Sequence, residues 1–173
     1  MANDIVTDSR QWTRLEIAEL LISKTALTEL KREAAQEIVE LLKPENVAAG
    51  TVLIEEGVTS TGFMALVLEG EAIVANTLAD GGEAVVLGEI GPGAVFGEMG
   101  ILDGKPRSAT VTAVTDMEIV VLDRPSLTRL IDEMPGVACD LLAAVMVRVS
   151  ERLRATNLKV KELSEEVRRL KGA

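Results

Sequence analysis

Residues 96–111 read Phe96-Gly97-Glu98-Met99-Gly100-Ile101-Leu102-Asp103-Gly104-Lys105-Pro106-Arg107-Ser108-Ala109-Thr110-Val111. Two glycines, Gly97 and Gly100, flank a lone carboxylate, Glu98. Gly97 lets a backbone N–H come close to a ligand, because no Cβ stands in the way. Glu98 to Leu102 is predicted to form one helical turn, whose first N–H groups have no intrahelical partner and attract anions, phosphate above all. A turn through Asp103, Gly104 and Pro106 then brings in Arg107, whose planar fork of donors suits phosphate oxygens. Ser108 adds a hydroxyl, Ala109 a second small residue, and an alternating strand begins near Thr110. Glu98 repels phosphate, but it can accept hydrogen bonds from a sugar hydroxyl. Any one of these pairs alone reads as a solvated surface turn. A carboxylate for ribose and an arginine for phosphate, either side of a helix N-terminus, together describe a nucleotide pocket.

The same stretch resembles the phosphate-binding cassette of the cyclic nucleotide-binding domain family, F-G-E-[LMI]-[AG]-L…P-R-[ST]-A-T-V, with the key residues Gly97, Glu98, Arg107, Ser108 and Ala109 all present. Catabolite activator protein and the regulatory subunits of cAMP-dependent protein kinase belong to that family. The resemblance extends over about Ala48 to Leu170, and Gly50-x-x-Leu53…Glu56-Gly57 and Leu68-Glu69-Gly70 are similar to the family's early strands. It implies that Glu98 binds the ribose 2′-hydroxyl and Arg107 the cyclic phosphate, with Gly97, Ser108 and Ala109 completing the phosphate contacts. It also places Val74 and Leu87 where the family has apolar walls against base and sugar. The residues alone read equally well as core.

Composition narrows the function classes. The chain has 173 residues, enough for one domain with helical extensions. Hydrophobic residues make up 47% and aromatics 2%, so the core must be built from Val, Leu, Ile and Ala. A net charge of −10 argues against a nucleic-acid surface and against adhesion to anionic lipid. There is no histidine and a single cysteine, Cys139, which excludes intrachain disulfides, histidine-based metal sites and histidine triads. Cys139 is expected to be a small buried hydrophobe on a helix. No signal-peptide pattern and no membrane-spanning apolar run is present, so a reduced, cytoplasmic protein is expected.

Along the chain, Ser9 is expected to cap a first helix to about Lys24, and Thr25 or Thr28 a second to about Leu42, ended by Pro44. Glycine-punctuated strands follow: Val47, Thr51 to Ile54, Gly62 to Leu68, Glu71 to Thr77, Glu83 to Ile90, Ala94 to Val95, Ser108 to Val114 and Met117 to Leu122. Asp80-Gly81-Gly82 reads as a hairpin turn. About eight short strands imply a jelly roll or small barrel. Arg124 to Met134 reads as a short helix ended by Pro135 and Gly136. The expected fold is therefore mainly β with flanking α: N-terminal helices (1–44), a cyclic nucleotide-binding β-roll with its short helix (45–134), and a long C-terminal helix (135–173).

In that last helix Leu142, Met146, Val149, Leu153, Thr156, Val160, Leu163, Val167 and Leu170 alternate by four and three, a heptad seam. At ~1.5 Å per residue the helix is roughly 50 Å long, more than one small domain covers, so a parallel homodimer is expected. Thr156 is the polar residue of the seam and reads either as a register-setting position or, by resemblance, as a contact to adenine. Ala155-Thr156-Asn157-Leu158-Lys159-Val160 is similar to the V-T-S-x-K-V of catabolite activator protein. That similarity gives Thr156 the base edge and Asn157 the base held by the partner subunit.

The chain stops at Ala173, where that family's transcription factors continue into a DNA-binding domain. The expected function is thus a stand-alone sensor of cAMP, with cGMP as the alternative ligand. It would use no metal, bind no DNA and no membrane, and signal to an effector protein that the sequence does not name. Arg107-Ser108-Ala109 favours cAMP by resemblance. The rival readings are a ligand-free structural dimer on the same fold and, with little support, a hydrolase.

Overall fold

In the computed structural model, residues 11–59, 62–77 and 84–172 are described. Ser9 and the Asp80-Gly81-Gly82 turn lie outside them. Eight strands form two antiparallel four-stranded sheets: β1 (Lys43–Val47), β8 (Met117–Asp123), β3 (Phe63–Glu69) and β6 (Val95–Phe96) in one, and β2 (Val52–Ile54), β7 (Thr110–Ala113), β4 (Ala72–Asn76) and β5 (Val85–Ile90) in the other. The expected β-roll is what the chain forms.

The central strands of the first sheet, β3 and β8, are buried on both faces, which is why they read as continuous apolar runs instead of alternating. Ala65 and Val67 of β3, with Met117, Ile119 and Val121 of β8, point inward to the core between the sheets. Their neighbours Met64, Leu66, Leu68, Val120 and Leu122 point outward into a second core. That second core is roofed by α1 (Arg14–Leu21), α2 (Arg32–Val39), α4 (Arg124–Glu133) and the first part of α5 (Pro135–Lys171).

Several boundaries differ from the sequence expectation, each for a physical reason. Thr13 caps α1 in a capping box with Glu16. Neither Thr25 nor Thr28 caps α2, which starts after Lys31. The segment between holds Ala26, Leu27 and Leu30, all 4% exposed or less, so core insertion overrides helix continuation. Pro44 lies within β1 rather than ending a helix, and β1 is an edge strand, where a missing N–H is tolerated. Pro135 opens α5 at its first position instead of closing α4. Met134, with φ −136° and ψ 62°, is the non-helical hinge between the two. Cys139 is exposed, not buried. The buried stripe of α5 is Ala138, Leu141, Ala144 and Val145, and Cys139 sits about 100° round the helix from Ala138.

From Ser150 to Gly172 every residue of α5 and its cap is exposed. Leu153, Val160, Leu163, Val167 and Leu170 are between 47% and 70% exposed, an uncovered apolar stripe on a charged helix. No described helix is long and apolar enough to cross a membrane.

Candidate functional site

The cassette begins where β6 ends. Gly97 adopts φ 80°, ψ 0°, a left-handed conformation that side-chain-bearing residues rarely take. A Cβ there would stand 2.5 Å from the carbonyl oxygen of Phe63 on the neighbouring strand β3. The chain turns at this point into α3 (Glu98–Asp103), a short helix closed by Gly104 at φ 63°.

This turn drives Glu98 inward. Its side chain is 3% exposed, and it shares the lining of a narrow apolar cleft with Ile101, Leu141, Leu142 and Val145. A carboxylate so buried requires a partner. Arg152, near the middle of α5, provides it: Nη1 donates to Glu98 Oε1 at 2.6 Å. Sequence reasoning missed Arg152. It lies 54 residues from Glu98 on a helix rich in both charges, where one more arginine looks like solvated surface. Its one signal is helical spacing, four residues before Thr156 and so on the same face.

Arg107 is held from both ends. Its N–H donates to Val58 O at 3.1 Å and its carbonyl accepts from Gly57 at 2.8 Å, which fixes the backbone. Its Nη1 donates to Gly97 O at 3.2 Å, and its guanidinium lies 5.2 Å from the centre of the Phe63 ring. Phe63 is in turn set edge-on to Phe96, the first cassette residue, at 6.2 Å and 83°. Burial pushes the Arg107 pKa below its usual value, opposed by the charges of Asp103 and then Glu98. With Glu98, Arg107 completes the set of buried charged residues among those described.

The structure thus brings together Gly97, Glu98 and Arg107. Ser108, exposed, and Ala109, half-buried, follow directly and lead into β7, which starts at Thr110 rather than Ser108. Val74 sits on β4, paired with Val111 of β7 and Gly88 of β5, and packs partly against the inner core. Leu87, on the edge strand β5, is 49% exposed, an apolar surface rather than core. Thr156 and Asn157 are exposed on α5, and Thr156 Oγ1 donates to Arg152 O at 2.9 Å, one turn beyond the arginine that reaches Glu98.

A second arginine outside the sequence reading braces the cassette from behind. Arg124, the first residue of α4, donates from Nη1 to the carbonyl of Ile101 near the end of α3. The cassette helix is therefore tied to α5 through Glu98 and to α4 through Ile101. A wider apolar groove lies elsewhere, between Trp12, Leu15 and Leu20, and contains no cassette residue.

The chain resembles known proteins over much of its length. Residues 44–134 match the model of the cyclic nucleotide-binding domain. The cyclic AMP receptor protein of Thermus thermophilus is 43% identical over 86 residues, 50% of this chain and 38% of that protein. The cAMP-dependent protein kinase regulatory subunit of Dictyostelium discoideum is 30% identical over 121 residues, 67% of this chain and 37% of that one. This chain therefore spans less than two fifths of either relative's length. Among solved structures, a cyclic nucleotide-binding domain from Methylobacillus flagellatus superposes with a TM-score of 0.71 at 25% identity, covering 82% of this chain and 79% of that one. The catabolite activator protein of Thermus thermophilus superposes at 0.66 with 30% identity, covering 84% and 63%. With its β-roll, its complete cassette and a family match over more than half its length, the chain belongs to the cyclic nucleotide-binding domain family.

Proposed function

We propose that this protein is a cyclic-nucleotide sensor, with cAMP as its first ligand and cGMP as the alternative, and that it reports through its helices to a protein partner. The observation that carries the reading is the burial of one carboxylate and one guanidinium, Glu98 and Arg107, ten residues or fewer from each other around Gly97. Oppositely charged groups desolvated together around one short helix mark a candidate ligand site. In this reading Arg107 takes the cyclic phosphate, aided by Gly97, Ser108 and Ala109. Glu98 takes the ribose 2′-hydroxyl, Val74 and Leu87 flank base and sugar, Thr156 meets the base, and Asn157 reaches the base held by the partner subunit.

The output follows from Arg152. A sugar hydroxyl that engages Glu98 changes the pairing between Glu98 and Arg152, and with it the hold of the β-roll on α5. A ligand shifts populations only through such differential contacts. Beyond Arg152 runs the uncovered stripe Leu153, Val160, Leu163, Val167 and Leu170, which a second copy of the chain would cover as a parallel homodimer. The acidic balance of the chain, −10, fits an effector that is a protein rather than a nucleic acid.

Calorimetry with cAMP and cGMP tests this directly. Saturating ligand should stabilise the protein by about 2.7 kcal/mol at a hundredfold excess over Kd. Arg107→Leu should remain folded and lose that response. Absence of heat and of thermal shift with either nucleotide at millimolar concentration removes the sensor reading.

A further inference from the structure

Gly100 lies within α3 at an ordinary backbone conformation, so its torsion angles do not demand glycine. Glycine is also a poorer helix former than alanine. What the position lacks is room. A Cβ on Gly100 would collide with Nη1 of Arg107 and stand 2.5 Å from Cζ and 3.0 Å from Nε. The guanidinium therefore lies directly on the bare backbone of Gly100. It is also held by Gly97 O and the Phe63 ring, and the whole residue is 8% exposed. Its Nη2 shows less than 1 Å² of surface, so this end of the fork cannot meet an incoming anion where it stands.

We infer that Gly100 is the clearance that lets Arg107 fold into the cassette, and that this stowed position competes with the binding of a cyclic phosphate. The inference rests on the proposed function for its ligand, and on the geometry alone for the stowed side chain. In the stowed state the guanidinium has protein partners without any ligand. A cyclic phosphate has to draw the fork away from Gly97 O and Phe63, and the apparent affinity falls by the fraction of molecules in which it is stowed. A side chain at position 100 closes the stowed position and leaves Arg107 outward. Gly100 is thus a positioning residue that sets the threshold of the sensor without touching its ligand through a side chain.

Two measurements on Gly100→Ala test the two halves separately. Without ligand, Gly100→Ala should lower the urea midpoint of the parent but leave unchanged or raise that of Arg107→Leu, where no guanidinium is in the way. Equal effects in both backgrounds overturn the stowed position. If Gly100→Ala alone fails to fold while the double variant folds, Arg107 has no outward position to move to, and the competition is overturned. With cAMP as the probe, Gly100→Ala should bind about three- to tenfold more tightly than the parent. Unchanged or weaker binding overturns the competition. Binding by neither protein removes the cyclic-nucleotide reading, and the affinity claim with it. The stability cycle then still decides the position of Arg107.

Discussion

Arg152 Nη1 lies 2.6 Å from Glu98 Oε1, so the buried carboxylate of the β-roll is closed by a cation from the long C-terminal helix. Arg152 is half exposed and Glu98 almost fully enclosed, an asymmetry that makes Glu98 the costlier group to leave alone. Replacing Arg152 by Gln should reduce the stability of the ligand-free protein by about 1–2 kcal/mol, read as a lower urea midpoint with little change in slope. Arg152→Lys should recover part of the loss. An unchanged midpoint in Arg152→Gln would show that Glu98 does not depend on this partner.

The assignment of Glu98 to the ribose hydroxyl has its own test. Glu98→Gln keeps shape but loses the charge of the acceptor, and hydrogen bonds to charged groups contribute about 1.5–3 kcal/mol. The variant should bind cAMP roughly 10- to 100-fold more weakly. The parent should bind a 2′-deoxy analogue with a similar deficit, and the two losses should not add, since both remove one contact. Additive losses would place the hydroxyl elsewhere.

Asp123 caps α4 through Ser126 N at 2.9 Å and pairs with Lys43 across β1 and β8. The bond from Lys43, then those from Ser126, hold its carboxyl at about 2, below the ordinary 3.8. A depressed folded-state pKa stabilises the protein above the unfolded value and is lost as pH falls through the folded one. The stability difference between the parent and Asp123→Asn should therefore be constant at neutral pH and shrink between 3.8 and about 2. A difference as large at pH 2 as at neutral pH would assign the effect to shape rather than charge.

The exposed stripe of α5 makes a prediction about assembly. Leu163→Asp together with Leu170→Asp should convert a dimer to a monomer in sedimentation equilibrium, while thermal unfolding of the β-roll shifts little. Both side chains are already more than 60% exposed within one chain, so they contribute little to its own core. A parent protein that is monomeric at high micromolar concentration ends the homodimer proposal.

What could be read from the chain and what could not divide along the range of the interactions. The cassette was legible because its parts are local. Gly97, Glu98 and Arg107 lie within ten residues, and each has a chemistry that its type alone announces. The strands were legible because glycine turns and apolar runs mark their ends. The misplaced boundaries fall where burial competes with propensity, as at Leu27 and Leu30, or where a proline has two uses, as at Pro44 and Pro135.

The partners of the functional charges were decided only when the chain folded back on itself. Local sequence determined that a carboxylate and a guanidinium would stand at the start of a short helix, because torsional freedom at glycine and the charge of a side chain are properties of single residues. Only the packing of α5 across the roll brings Arg152 to Glu98. Only the turn after Gly104 lays Arg107 over Gly100. Contacts between distant residues depend on the paths of all the elements between them, and no window of sequence contains those paths.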